Sequence, residues 1–92
     1  MKIWTKIIQG EKILKDSVWA PNGAFDYSCL GNYIEEICNK LDEPTPIILR
    51  KHLNHLNEFG NTHFKQEDFV ESVFFDRMAI EIFDENSQKK TK

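Results

Sequence analysis

Two apolar stretches open the chain, residues 2–8 and 13–19, rich in Ile, Val or Trp and separated by a turn containing Gly10. Runs of this length and composition, divided by a short Gly-containing turn, predict a β-hairpin. A two-residue Gly10-Glu11 loop sets the register. It pairs Gln9 with Lys12, Ile8 with Ile13, Ile7 with Leu14, Thr5 with Asp16, Trp4 with Ser17, Ile3 with Val18 and Lys2 with Trp19. Ile3, Ile7, Leu14 and Val18 then form the core face. Trp4, Trp19, Ile8 and Ile13 share the outer face with Lys2, Lys6 and Lys15. A one-residue slip would set Lys6 against Asp16, an attractive pair, but would break the apolar match.

Ala20-Pro21-Asn22-Gly23 reads as a turn. The spacing of Leu30, Ile34, Ile37 and Leu41, with Tyr33 and Cys38 at the edges, predicts a helix from Tyr27 to Leu41 with Asp26 as its N-cap. Asp42-Glu43-Pro44-Thr45-Pro46 is the clearest break. Thr45 as cap and Pro46 in the first helical position predict a second helix over 46–59, ended by Gly60 at C′. Leu49, Leu53 and Leu56 would be its buried stripe. From Asn61 to Asp76 the pattern is irregular, and Phe64, Phe69, Val70, Val73, Phe74 and Phe75 read as loop anchors or a short helical turn. Met78, Ile80 and Ile82 alternate with Ala79, Glu81 and Phe83, the signature of one more strand. The expected fold is α+β in the order ββααβ: a three-stranded antiparallel sheet with two helices packed on one face. Residues 1–84 form one domain and the polar stretch 85–92 a disordered tail.

Composition adds bounds. With 92 residues, 40% hydrophobic and 29% charged, the chain is expected to form one globular domain with a shallow core. No apolar run approaches the roughly 18–20 residues of a membrane span, and the N-terminus carries no continuous apolar stretch of a secretory signal. A cytoplasmic protein is expected. The net charge is −3, unevenly spread: the first 16 residues lean basic, and 67–85 is acidic apart from Arg77. Outside the tail lysines Lys89, Lys90 and Lys92, nothing concentrates positive charge as nucleic-acid binding requires.

Few residues carry candidate chemistry. His52 and His55 are three apart on the second helix and His63 lies just beyond it, so two imidazoles can face one metal with Cys29, Cys38 or a carboxylate completing the set. No HExxH or CxxC spacing supports this, and a histidine beside a leucine stripe is ordinarily a boundary residue. Cys29 and Cys38, about 13 Å apart along a helix, lie beyond the ~7 Å reach of a disulfide. Cys29 near a helix N-terminus is the better thiol nucleophile. The carboxylate pairs Glu35-Glu36, Asp42-Glu43 and Glu67-Asp68 diverge as neighbours on a chain and read as solvated surface. Four glycines build no phosphate-binding loop of a known kind. No cofactor and no small-molecule ligand is inferred, and the chain is not expected to be an enzyme.

The outer sheet face is the stronger candidate. Trp4, Ile8, Ile13, Trp19 and Phe83 among lysines make a larger apolar patch than a small monomer usually exposes, and they point to a protein partner or a homodimer. The competing reading covers them with lysine stems or with residues 61–75. The leading expectation is a non-enzymatic protein-interaction module. The alternative is a small metal-dependent or thiol enzyme built on His52, His55 and His63.

Thr62-His63-Phe64, Glu67-Asp68-Phe69-Val70 and Phe75-Asp76-Arg77-Met78, followed by Ile80-Glu81-Ile82, resemble a group of short uncharacterised bacterial proteins. Those proteins also open on a Lys/Ile/Trp-rich strand and carry a Pro-bounded helix with a Lys-His pair, here Lys51-His52. The resemblance implies a size and a fold, with no activity and no site.

Overall fold

The computed structural model describes residues 1–84, so the expected disordered tail lies outside the described residues. A hairpin of β1 (Lys2–Gln9) and β2 (Lys12–Trp19) leads through one 3₁₀ turn, Tyr27–Cys29, into α1 (Leu30–Leu41). An extended linker precedes α2 (Arg50–Phe59), which is followed by β3 (Asn61–Lys65), a 3₁₀ turn at Gln66–Asp68 and β4 (Arg77–Phe83). The sheet is antiparallel and four-stranded, in the order β2-β1-β4-β3. The fold is therefore α+β with two helices, as the sequence implies, but with one strand more than expected.

The extra strand is β3. Only Thr62 and Phe64 point inward from it, while Asn61, His63 and Lys65 are exposed. Gly60, at φ 77°, ends α2 in the left-handed region and turns the chain straight into β3. β4 then lies between β3 and β1.

The hairpin register changes partway. Gln9–Lys12 and Ile8–Ile13 pair as expected, but a bulge between Ile7 and Ile8 shifts the rest, so Lys6 meets Asp16, Trp4 meets Val18 and Ile3 meets Trp19. The extra residue turns over every side chain beyond it. Trp19 is thereby placed on the core face, 8% exposed, and Val18 on the outer face, 55% exposed. Leu14 and Val18, expected in the core, are both exposed. The electrostatics explain the outcome. Lys6 faces Asp16, and Asp16 Oδ2 accepts a hydrogen bond from Trp4 Nε1 at 3.0 Å. Trp19, the larger apolar group, gains burial that Val18 gives up. Its indole N–H donates to Glu36 Oε2 of α1 at 2.8 Å, and its ring packs 5.1 Å from Tyr33.

Both helices lie on the inner face. Leu30, Ile34, Ile37 and Cys38 of α1 and Leu56 of α2 join Ile3, Ile7, Phe64, Met78, Ile80 and Ile82 in one core. Asp26 caps as its residue type predicts, accepting from the Ser28 N–H at 2.9 Å. α2 departs from expectation, because it starts at Arg50 rather than Pro46. Ile47 N–H donates to the Asp68 carbonyl at 2.7 Å, which holds the linker extended against the β3–β4 connection. The buried α2 residues are consequently His52 and Leu56, while Leu49 and Leu53 are exposed.

One buried polar group stands out. Thr5 lies between Ile3 and Ile7 on the inner face of β1, fully buried, and its hydroxyl has no hydrogen-bond partner among the described residues. Valine is nearly isosteric and removes the unsatisfied group. Thr5→Val is expected to stabilise the fold by about 1 kcal/mol, seen as a higher urea midpoint at unchanged m-value. A lower midpoint would mean that the hydroxyl is satisfied.

Candidate functional site

Two surfaces bring the candidate residues together. The first is the outer face of the sheet. Trp4, Val18 and Phe83 line an open groove of about 340 Å³, flanked by the carboxylates of Asp16 and Glu81. The strand alternation places Trp4 opposite both Val18 and Glu81, with Phe83 beside Lys2. Lys6 lies over the Trp4 ring, its ammonium 4.2 Å from the centroid and 3.9 Å from Glu81. The lysine thus shields part of the indole, as the competing sequence reading anticipated, and leaves Val18 open. Ile13 is exposed on the same face, while Ile8 is buried. Asp76 N–H donates to the Ile8 carbonyl at 2.9 Å and Gln9 Nε2 to the Phe74 carbonyl at 3.2 Å, which fastens segment 74–76 over that end of the hairpin. Of the five residues expected on this patch, Trp4, Ile8, Ile13 and Phe83 are on the outer face and Trp19 is not. Val18 takes its place, and the one sequence signal for it was the Lys6–Asp16 attraction.

The second surface is a cleft of about 210 Å³ where α2 meets the free edge of β3, and all three histidines line it. They play unequal parts. His52 is 4% exposed and Asp68 is 7% exposed. Leu49 N–H donates to His52 Nδ1 at 2.9 Å, so that nitrogen is unprotonated and the proton sits on Nε2, 3.4 Å from Asp68 Oδ2. The same carboxylate oxygen accepts from the Lys65 N–H at 2.9 Å. Burial pushes the His52 pKa below its ordinary value, against the pull of Asp68 and with smaller contributions from Lys51 and His63. Both ring nitrogens are therefore engaged in holding the fold, and neither remains for a metal or for proton transfer. His52 caps α2 from its third position, a role usually taken by Glu or Gln.

His55 is different. Its Nδ1 lies 2.6 Å from the Asn61 carbonyl and must carry the proton, which leaves Nε2 unengaged among the described residues. Among the described residues, no group of three or more His, Cys, Asp or Glu side chains is placed to hold a metal ion. The thiols lie elsewhere. Cys38 is buried in the core with its sulfur 4.0 Å from Met78 Sδ, and burial pushes its pKa up to about 11. Half-buried Cys29 lines a shallow surface hollow with Trp19 and Glu36. The histidines and cysteines that the enzyme alternative needs are not brought to one place.

No known family, no curated protein and no solved structure matches the chain. Among the described residues, no helix is long and apolar enough to cross a membrane.

Proposed function

We propose that this protein is a non-enzymatic, cytoplasmic interaction module that docks a protein segment on the outer face of its sheet. The observation that carries this reading is the open groove at Trp4, Val18 and Phe83, with a β-branched apolar side chain exposed where burial is available. Charge selects the occupant. The charged residues that line the groove are the carboxylates Asp16 and Glu81, in keeping with the −3 of the chain as a whole. A segment that alternates apolar and basic side chains would fill the groove and meet the carboxylates. A second copy brings the same carboxylates and fits less well.

The test is a displayed library of random peptides selected on the full-length protein. Enrichment of apolar-basic sequences is expected, with binding at least about tenfold weaker in Val18→Lys, which adds a positive charge to the groove without touching the core. Enrichment that Val18→Lys leaves unchanged would remove the groove from the interface. Native mass spectrometry supplies the other arm: a dimer dissolved by Val18→Lys would make the occupant a second copy and overturn the basic segment.

A further inference from the structure

We infer that the cleft between α2 and β3 binds a tetrahedral oxyanion of the phosphate type. The argument begins with charges set where folding alone disfavours them. Lys65 and Arg77 are directly opposite each other on adjacent strands, an arrangement that repels. Arg50 and Lys51 occupy the first turn of α2, which holds no acidic residue, although the dipole at a helix N-terminus favours negative charge. None of these four side chains forms an ion pair among the described residues. Lys51 and Lys65 both line the cleft, so a bound anion would relieve both frustrations at once.

The backbone supplies a further donor. In an antiparallel strand, the N–H and C=O of one residue point to the same side, and successive residues alternate. Lys65 N–H is turned away from β4 to Asp68, and the Asn61 carbonyl is turned away from β4 to His55. His63, midway between them, therefore presents its N–H and C=O at the same free edge. The Nε2 of His55, which no other described residue engages, and the ring of His63 complete the lining. The Asp68 carboxylate also lines the cleft, with Oδ2 turned to the Lys65 N–H and the His52 ring; its single negative charge offsets one of the two lysines and leaves the lining net positive. Lys51 and Lys65, against the one carboxylate of Asp68, and the edge amide of His63 make this cleft of about 210 Å³ a pocket for an anion rather than for a cation. The oxyanion can come from free phosphate or from a phosphomonoester, and the chemistry of recognition is shared.

The inference does not depend on the occupant of the Val18 groove, and its test separates the two. Full-length ¹⁵N-labelled protein is titrated with inorganic phosphate, and in parallel with glycerol phosphate, at constant ionic strength. Saturable shifts centred on the His55, His63 and Lys65 amides are expected, at least about tenfold weaker in Lys51→Gln/Lys65→Gln. Val18→Lys and the distant Lys12→Gln should leave them unchanged. The tighter of the two ligands identifies the source. Core amides such as Ile80 report that the double variant remains folded. Shifts that fail to saturate, or that the double variant retains, would overturn the proposal. So would stoichiometric zinc binding at His55 and His63 with no response to phosphate.

Discussion

Phe75→Ala is expected to destabilise the protein by about 3–5 kcal/mol, whereas Phe74→Ala should change stability by less than about 1 kcal/mol. The two residues are adjacent and chemically identical, and neither lies in a helix or strand. They differ in burial: Phe75 is fully buried and Phe74 is 59% exposed. The Phe75 ring meets Phe69 edge-on at 5.4 Å and belongs to the core that joins β1, β4, α1 and α2. Its carbonyl accepts from Gln66 Nε2 at 2.8 Å, so the loop that carries it is closed on itself and cannot readily collapse into the space that alanine would leave. A small domain has only about 5–15 kcal/mol of total stability, so a loss of this size unfolds a large part of the population under mild conditions. Urea denaturation followed by tryptophan fluorescence measures both variants. Equal midpoints for the two would show that segment 69–76 is not part of the core.

That contrast marks the limit of what the sequence makes legible. Periodicity finds α1 well, because Leu30, Ile34 and Ile37 repeat at helical spacing within the twelve-residue helix and all three are buried. The β4 alternation is equally plain, with Met78, Ile80 and Ile82 buried. Loop aromatics have no period, so nothing local separates Phe75 from Phe74. The hairpin shows a different limit. Val18 and Trp19 of β2 each fit the core face, and the decision rests on pairwise terms, the Lys6–Asp16 and Trp4–Asp16 contacts, together with the greater gain from burying Trp19 than Val18. A uniform register cannot express a bulge. The start of α2 fails for a third reason: Thr45-Pro46 is a sound local start signal, but the Ile47–Asp68 hydrogen bond spans 21 positions, beyond any local pattern. Of the candidate sites, the outer sheet face was legible from Trp4, Ile13 and Phe83. The histidines were legible as a cluster but not in their separate roles, because what distinguishes His52 from His55 is which backbone group each ring reaches.

His52→Ala is expected to cost about 2–4 kcal/mol, and the variant should also lose part of the protein's pH dependence. Three losses combine. The buried ring leaves a cavity beside Phe64, whose ring centroid is 4.4 Å away. Leu49 N–H loses its acceptor, which uncaps α2. Asp68, itself buried, keeps its Lys65 N–H and loses its other partner. His52→Gln separates these effects, since glutamine in the third helical position can reach back to the N-cap amide but does not fill the space beside Phe64. It should fall between wild type and His52→Ala. The pH dependence follows from the depressed pKa of His52. Above about pH 6.5 the imidazole is neutral in both the folded and unfolded chain, and its contribution to stability is complete. As the pH falls below that value, the unfolded chain takes up a proton that the native ring refuses, because Nδ1 is occupied by an N–H donor and the site is dry. Stability therefore declines with a slope of at most about 1.4 kcal/mol per pH unit, until the pH reaches the lower folded-state value. Burial lowers this value most, Asp68 opposes it, and Lys51 on the same helix and His63 on β3 lower it further. Guanidinium denaturation between pH 7.5 and 5.5 isolates the effect as the difference between wild type and His52→Gln, the two chains being otherwise identical. A difference that does not change with pH across this range would mean that the His52 pKa is the same in the folded and unfolded chain, and that burial and the Leu49 N–H do not hold the ring neutral.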